Sequence, residues 1–491
     1  MRGPTFLLAS ACLLLAACGG EQPPPPAPAT PAVAPPAPAA ALPPDIDPTL
    51  LRIDVAAAAK RLCSSLFVSG RTREHVLAEE LADAATLGVA FEVGSAPEAV
   101  TARIGDFEET AVHRRHLGCT LLESVDAQAL LAQFDVAAYP SPVQPDPALP
   151  WPEGALVVLP ETAPGIDLAA VGAAVDAAFA EPDPTKPVRT RAVVVIHDGR
   201  IVAERYAAPF DAATPQLGWS MTKTVTGTLT GLLAGDGTLN ITAPAAVAAW
   251  QGAGDPRRII TLNNLLQMSS GLRFSEVYDA AAPSDVVTML YGPGAADMGA
   301  FAAAMPLDHV PGSHWSYASG TTNLIASVLR DAFASQADYI AFPRARLFNP
   351  LGMASAVIEP DESGAFVGSS YMYATPRDWA RLGLLYLQDG VWLGERLLPE
   401  GWVGYATTPA PAATRGEYGA QIWLNAGAPG NPSDRPHPEL PTDLYYLSGF
   451  EGQDVVVVPS RDLAVVRMGL TAGGPEVVWD VVAGVLEAIS N

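Results

Sequence analysis

Two β-hairpins, one early and one late in the larger part of the chain, set the strongest limit on how this sequence folds. Ala192 to Ile196 is a β-branched run, Asp198-Gly199 is a tight-turn dipeptide, and Ile201 to Tyr206 runs back with alternation. Val455 to Val458, a turn through Pro459 to Asp462, and Leu463 to Met468 make the second hairpin. Glu476 to Ile489, apolar at helical spacing, follows as a terminal helix. Between the hairpins most segments read as helices and loops. The hairpins are therefore expected to join in one antiparallel sheet flanked by helices, with an all-helical region inserted between them. That pattern is α+β, not the alternating strand–helix rhythm of a doubly wound fold.

The 491 residues divide by composition. Arg2 followed by the apolar run Thr5–Ala17 reads as a signal peptide over residues 1–17, too short to span a bilayer. Small residues precede Cys18, as in a bacterial lipobox, so lipid attachment at Cys18 is expected. An exported lipoprotein follows, membrane-anchored and facing the periplasm or cell exterior. Residues 18–45 carry the lipidated cysteine and a Pro/Ala-rich linker, extended over roughly 70 Å at polyproline rise. A second proline-rich break, residues 139–153, separates a small α/β N-terminal module (46–138) from the main domain (154–491). In the module, Thr72 to Leu87 reads as one long amphipathic helix, and His113 to His116 with Arg114 and Arg115 between them as a basic surface loop.

Charge excludes one class of partner. With 52 Asp+Glu against 28 Lys+Arg the formal charge is −24, a field that repels phosphate backbones, so nucleic acid is not expected. Of the four cysteines, Cys12 falls in the signal and Cys18 carries the lipid. Cys63 and Cys119 remain, an even pair that reads as a disulfide in an oxidising compartment. With no Cys-x-x-Cys, no His-Glu-x-x-His and scattered histidines, no metal site is expected.

Ser220 and Lys223 carry the chemistry. The segment Gly218-Trp219-Ser220-Met221-Thr222-Lys223 opens a helix that stops near Gly235-Asp236-Gly237. Taken alone, Ser220 equally suits a helix N-cap. Three residues is close to one helical turn, so the Lys223 amine shares a face with the Ser220 hydroxyl. Burial and the positive end of the helix dipole both disfavour the ammonium, and a neutral lysine is a base for serine. Downstream, Tyr317 in the polar stretch Pro311–Asn323 is placed to pass protons to a leaving group if Lys223 lowers its pKa. The segment Leu447-Ser448-Gly449-Phe450 enters the last hairpin with a glycine that lets backbone N–H groups approach a substrate carbonyl.

On these motifs the chain resembles the serine β-lactamase and penicillin-binding-protein superfamily. The likeness is to the class C branch, which also holds esterases and 6-aminohexanoate-dimer hydrolases. Ser220-Met221-Thr222-Lys223 matches the Ser-x-x-Lys motif in full. Leu265–Leu272, Leu347–Met353 and Arg377–Gly383 resemble the family in the same order. The resemblance implies a β-lactamase-like fold, with Ser220 as nucleophile, Lys223 as base and Tyr317 as proton carrier. It places oxyanion N–H groups at Ser220 and Phe450, with Ser448, Gly449 and Ser319 lining the substrate side and no cofactor. Two departures matter: Ser319 stands where Tyr-x-Asn has asparagine, and no basic residue stands in the Lys-Thr-Gly position beside Ser448-Gly449. That cation helps bind a substrate carboxylate in the family, so its loss favours small esters or amides as substrates. β-Lactamase or DD-peptidase activity, or a non-catalytic envelope-binding lipoprotein, are the alternatives. A Ser-His-Asp hydrolase is disfavoured because Thr222 stands where Gly-x-Ser-x-Gly needs its second glycine.

Overall fold

The computed structural model describes residues 47–278, 283–471 and 476–489. The expected signal peptide, Cys18 and the Pro/Ala-rich segment lie outside the described residues. In the N-terminal module, helix α1 (Pro48–Phe67) is followed by two short helices, α2 (Arg73–Glu79) and α3 (Ala82–Thr86). Four antiparallel strands then pair in sequence order: β1 (Ala90–Ser95), β2 (Glu98–Ile104), β3 (Phe107–Arg114) and β4 (Gly118–Leu121). The main domain holds a six-stranded antiparallel sheet. Its strands are β5 (Thr190–His197), β6 (Arg200–Tyr206), β7 (Trp423–Leu424), β8 (Tyr445–Gly449), β9 (Gln453–Val458) and β10 (Leu463–Gly469), in the order β7-β8-β9-β10-β5-β6.

The two hairpins meet as the sequence implies. Strand β10 pairs with β5, setting Val466 opposite Val194 and Val465 opposite Val195. Both residues of the Asp198-Gly199 turn have positive φ (48° and 69°), as a tight two-residue hairpin loop requires. Helices cover both faces of the sheet, which is why the central strands β5, β9 and β10 carry long apolar runs. Helix α4 (Leu168–Ala177) lies against one face; α5 (Thr222–Gly235), α6 (Ser319–Asp331) and α7 (Pro376–Leu387) belong to the core on the other; α8 (Val477–Ala488) packs beside α4. Val193, Val195, Val456 and Val465 point to the α4/α8 side, and Ala192, Val194, Val455 and Val466 to the opposite core. Among the described residues no helix is long and apolar enough to cross a membrane.

The N-terminal module departs from its expected details. Thr72 to Leu87 is two helices rather than one, because the chain leaves helical geometry at Leu81 (φ −121°, ψ 24°). The long helix is α1, capped by Asp47, and it buries Lys60, Ser64 and Ser65 as well as its apolar residues. Arg114 is no surface loop residue: it ends β3, is 2% exposed and donates to Thr120 and Gln133. Cys63 and Cys119 are joined in a disulfide that ties α1 to β4. The proline-rich stretch before the main domain lies pinned on its surface. Trp151 is buried, and Arg381 donates to the carbonyls of Pro152 and Gly154.

Candidate active site

Ser220 sits in a tight 3-10 turn, Trp219–Met221, just ahead of α5. Three contacts hold that turn. The strand Gln216–Leu217 pairs with Met372–Ala374, the Gly218 N–H donates to the Met372 carbonyl (2.8 Å), and the Thr222 hydroxyl donates to the Trp219 carbonyl (2.7 Å). Trp219 takes a left-handed conformation (φ 47°), a strained state for a bulky side chain that persists only when its surroundings impose it. The first residue of α5 follows Met221, and no side chain caps the helix there. The Ser220 hydroxyl is thus not used as a cap. It faces Lys223.

Lys223 is 1% exposed, and its amine has three oxygen neighbours: Ser220 Oγ (3.0 Å), Ser319 Oγ (3.0 Å) and the Ser369 carbonyl (3.1 Å). Their chemistry fixes the direction of two of the three bonds. A carbonyl only accepts. Ser319 Oγ gives its own proton to Glu276 Oε1 (2.5 Å), so toward Lys223 it also only accepts. A neutral amine has two N–H bonds and one lone pair. In the neutral form the two N–H bonds go to Ser319 and Ser369, which leaves the lone pair for the hydroxyl proton of Ser220; in the ammonium form the third N–H donates to Ser220. The peptide that carries this carbonyl is itself oriented, the Ser370 N–H donating to the Val367 carbonyl (3.1 Å), and the Ser369 N–H donates to Asn323 on α6 (3.1 Å).

Burial pulls the Lys223 pKa down to about 8, while the negative charge of Glu276 works in the opposite sense. Glu276 also accepts from the Ser319 N–H (2.8 Å) and from the Tyr278 hydroxyl (3.2 Å). As a lone acidic residue in a loop it carries no spacing signal in the sequence.

Tyr317 lies where its ring centroid is 4.8 Å from the Lys223 amine. Trp423 stacks on it (5.0 Å, 27°) and Tyr418 meets it edge-on (5.9 Å, 84°). The expected lowering of its pKa by Lys223 does not occur. Burial and the Glu276 charge raise the Tyr317 phenol, and only a hydrogen bond with Ser220 draws it back. It is a neutral phenol over the whole working range.

Strand β8 runs beside the Ser220 turn. A methyl on Gly449 would fall 2.1 Å from the Gly218 carbonyl oxygen and 3.1 Å from the Ser220 nitrogen, so only glycine permits this approach. Phe450 comes next, 44% exposed, stacked on Tyr278 (5.4 Å, 17°) and edge-on to Trp219 (5.9 Å). Two residues expected to face substrate are engaged internally. Ser319 is fully buried between Lys223 and Glu276. The Ser448 hydroxyl bonds Asp454, its register partner, whose carboxyl burial pushes up to about 7. Leu447, beside them, is a buried core residue. Among the described residues no cluster of His, Cys, Asp and Glu is arranged to hold a metal ion.

Comparison with known proteins matches the Beta-lactamase family model over residues 175–478. A 6-aminohexanoate-dimer hydrolase of Paenarthrobacter ureafaciens is 24% identical over 299 residues, covering 57% of this chain and 72% of that protein. A penicillin-binding protein homolog from Caulobacter crescentus superposes with a TM-score of 0.51 at 17% identity, over 68% of this chain and 99% of that one.

Proposed function

We propose that this chain, which belongs to the Beta-lactamase family of serine hydrolases, cleaves small esters or amides through an acyl-enzyme on Ser220. The observation that carries the reading is the environment of the Lys223 amine, whose lone pair is left for Ser220 by two neighbours able only to accept. Ser220 loses its proton to Lys223 as its oxygen attacks the carbonyl carbon. The N–H groups of Ser220 and Phe450 receive the developing oxyanion. Tyr317, a neutral phenol hydrogen-bonded to Ser220 before attack, donates its proton to the leaving group and regains one from Lys223, which took it from Ser220. Water then repeats the attack on the acyl-enzyme and releases the acid.

The substrate class follows from what stands around Ser220. Leu447 occupies the third-motif position where the resemblance leads one to expect a cation, and the nearby side chains Glu276 and Glu451 are acidic. A carboxylate-bearing substrate would meet like charge with no partner, which costs binding. The name of one relative, a hydrolase of a 6-aminohexanoate dimer, supports an amide as the bond cleaved; that dimer ends in a carboxylate, so the preference against carboxylates rests on this chain's own residues. The test is a panel of a short-chain nitrophenyl ester, a small anilide and a chromogenic cephalosporin, on wild type beside Ser220→Ala. The ester is expected to turn over faster than the cephalosporin, with all activity lost in Ser220→Ala. The reverse ranking would return the protein to β-lactamase chemistry.

Export and lipid attachment at Cys18 belong to the same proposal. The Cys63–Cys119 disulfide supports them, because such bonds persist in oxidising compartments.

A further inference from the structure

We propose that Arg61, a residue of the N-terminal module, is a positioning residue for the oxyanion site. It would tie together, through Glu451, the two backbone segments that carry the oxyanion donors. The inference rests on the reading of the Ser220 and Phe450 N–H groups as those donors.

One segment is the Trp219–Met221 turn, and the other is the loop that follows β8 through Phe450 and Glu451. Each holds a bulky or charged residue in the left-handed region next to a donor: Trp219 (φ 47°) precedes Ser220, and Glu451 (φ 65°) follows Phe450. Neither conformation is self-sustaining. The Glu451 carboxylate spans both segments. Its Oε2 accepts from the Trp219 indole N–H (3.2 Å), and its Oε1 accepts from Arg61 (3.3 Å). The Arg61 guanidinium lies 5.9 Å from the Trp219 ring centroid and also faces Glu80 (3.8 Å). On its other side the loop is held from the main domain, with the Glu451 carbonyl accepting from the Thr471 N–H (2.9 Å) and from Arg467 (3.3 Å).

Arg61 is well placed to be rigid. Its neighbour Lys60 is ion-paired with Glu359, and Cys63, two residues on, is bonded to Cys119. Residue 61 lies outside the stretch matched by the family, 175–478, so the module supplies a part that the hydrolase domain lacks on its own. With Arg61 in place, one carboxylate oxygen is fixed by a charge and the other orients the indole. The donor spacing is then set before substrate arrives, as oxyanion stabilisation requires. Without Arg61, Glu451 is a part-buried carboxylate with one partner fewer, and both left-handed residues are free to relax.

The experiment uses the full chain and compares wild type with Arg61→Met, with Glu451→Gln, which keeps an acceptor for Trp219 but removes the charge, and with both together. The readouts are kcat and KM for a nitrophenyl ester and the inhibition constant of a boronate, which mimics the tetrahedral state. A displaced donor costs up to about 100-fold. Expected are a 10- to 100-fold loss in kcat, a matching loss of boronate affinity, KM within about threefold of wild type, and partial rescue by Arg61→Lys. The double variant should be no worse than the poorer single one, since both act through one link. Arg52→Ala, which breaks ion pairs on the same helix away from Trp219, should leave kcat unchanged. An unchanged kcat in both single variants, or losses that multiply in the double variant, would overturn the proposal. So would a fall in kcat that Arg52→Ala reproduces. If Ser220→Ala keeps its turnover, the nucleophile reading fails first; if Ser220→Ala is inactive and Arg61→Met is fully active, only the Arg61 link fails.

Discussion

At Lys223 two influences oppose one another, and their balance sets a measurable pH dependence. Burial favours the neutral amine and Glu276 favours the ammonium, leaving a pKa of about 8. The base is the neutral form, so kcat/KM should rise with pH and level off above about 8. Glu276→Gln removes the influence that raises the pKa; the rising limb should therefore move to lower pH, and a shift upward would contradict the assignment. Gly449 gives a second test at this scale. In Gly449→Ala the new methyl meets a backbone carbonyl that has nowhere to go, so β8 must withdraw from Ser220. Losing one oxyanion donor costs about 100-fold or more in kcat, with the circular dichroism spectrum unchanged. Ser220, Lys223 and Gly449 were legible because helical spacing and a hairpin entry bring them near the site by local rules. Glu276, Ser369 and Arg61 were not, since each arrives through a long-range contact that no local pattern encodes.

The secondary-structure elements divide the same way. Both main-domain hairpins were legible, for β-branched runs around turn residues satisfy strand and turn requirements together. The inserted helices were legible as helices but not in their packing. Helix α1 is not legible in the sequence because burial on most of its surface blurs any single apolar stripe, and because it buries a lysine and two serines. Its attachment gives a stability prediction. The Cys63–Cys119 bond closes a loop across a sequence separation of 56, and a loop of that size is worth about 4 kcal/mol in the chain-entropy view. Replacing both cysteines with alanine should lower the melting temperature by several degrees. A melting temperature equal to wild type, or peptide maps showing two free thiols in the native protein, would refute a structural role for the bridge.

At the scale of the whole molecule, the module and the hydrolase domain lie within one compact unit, joined by buried contacts such as Lys60 with Glu359. A net charge of −24 repels polyanions. If Cys18 carries the lipid, Cys18→Ser should move the protein from the membrane to the soluble fraction; equal membrane retention would exclude that anchor. The site itself is tested most directly by covalent capture. A fluorophosphonate probe is incubated with purified wild type and with Ser220→Ala, and the modified peptide is mapped by mass spectrometry. The expected result is a single adduct on Ser220 that is absent from the variant; an adduct of equal yield in Ser220→Ala, or one mapped to another residue, would contradict Ser220 as the nucleophile.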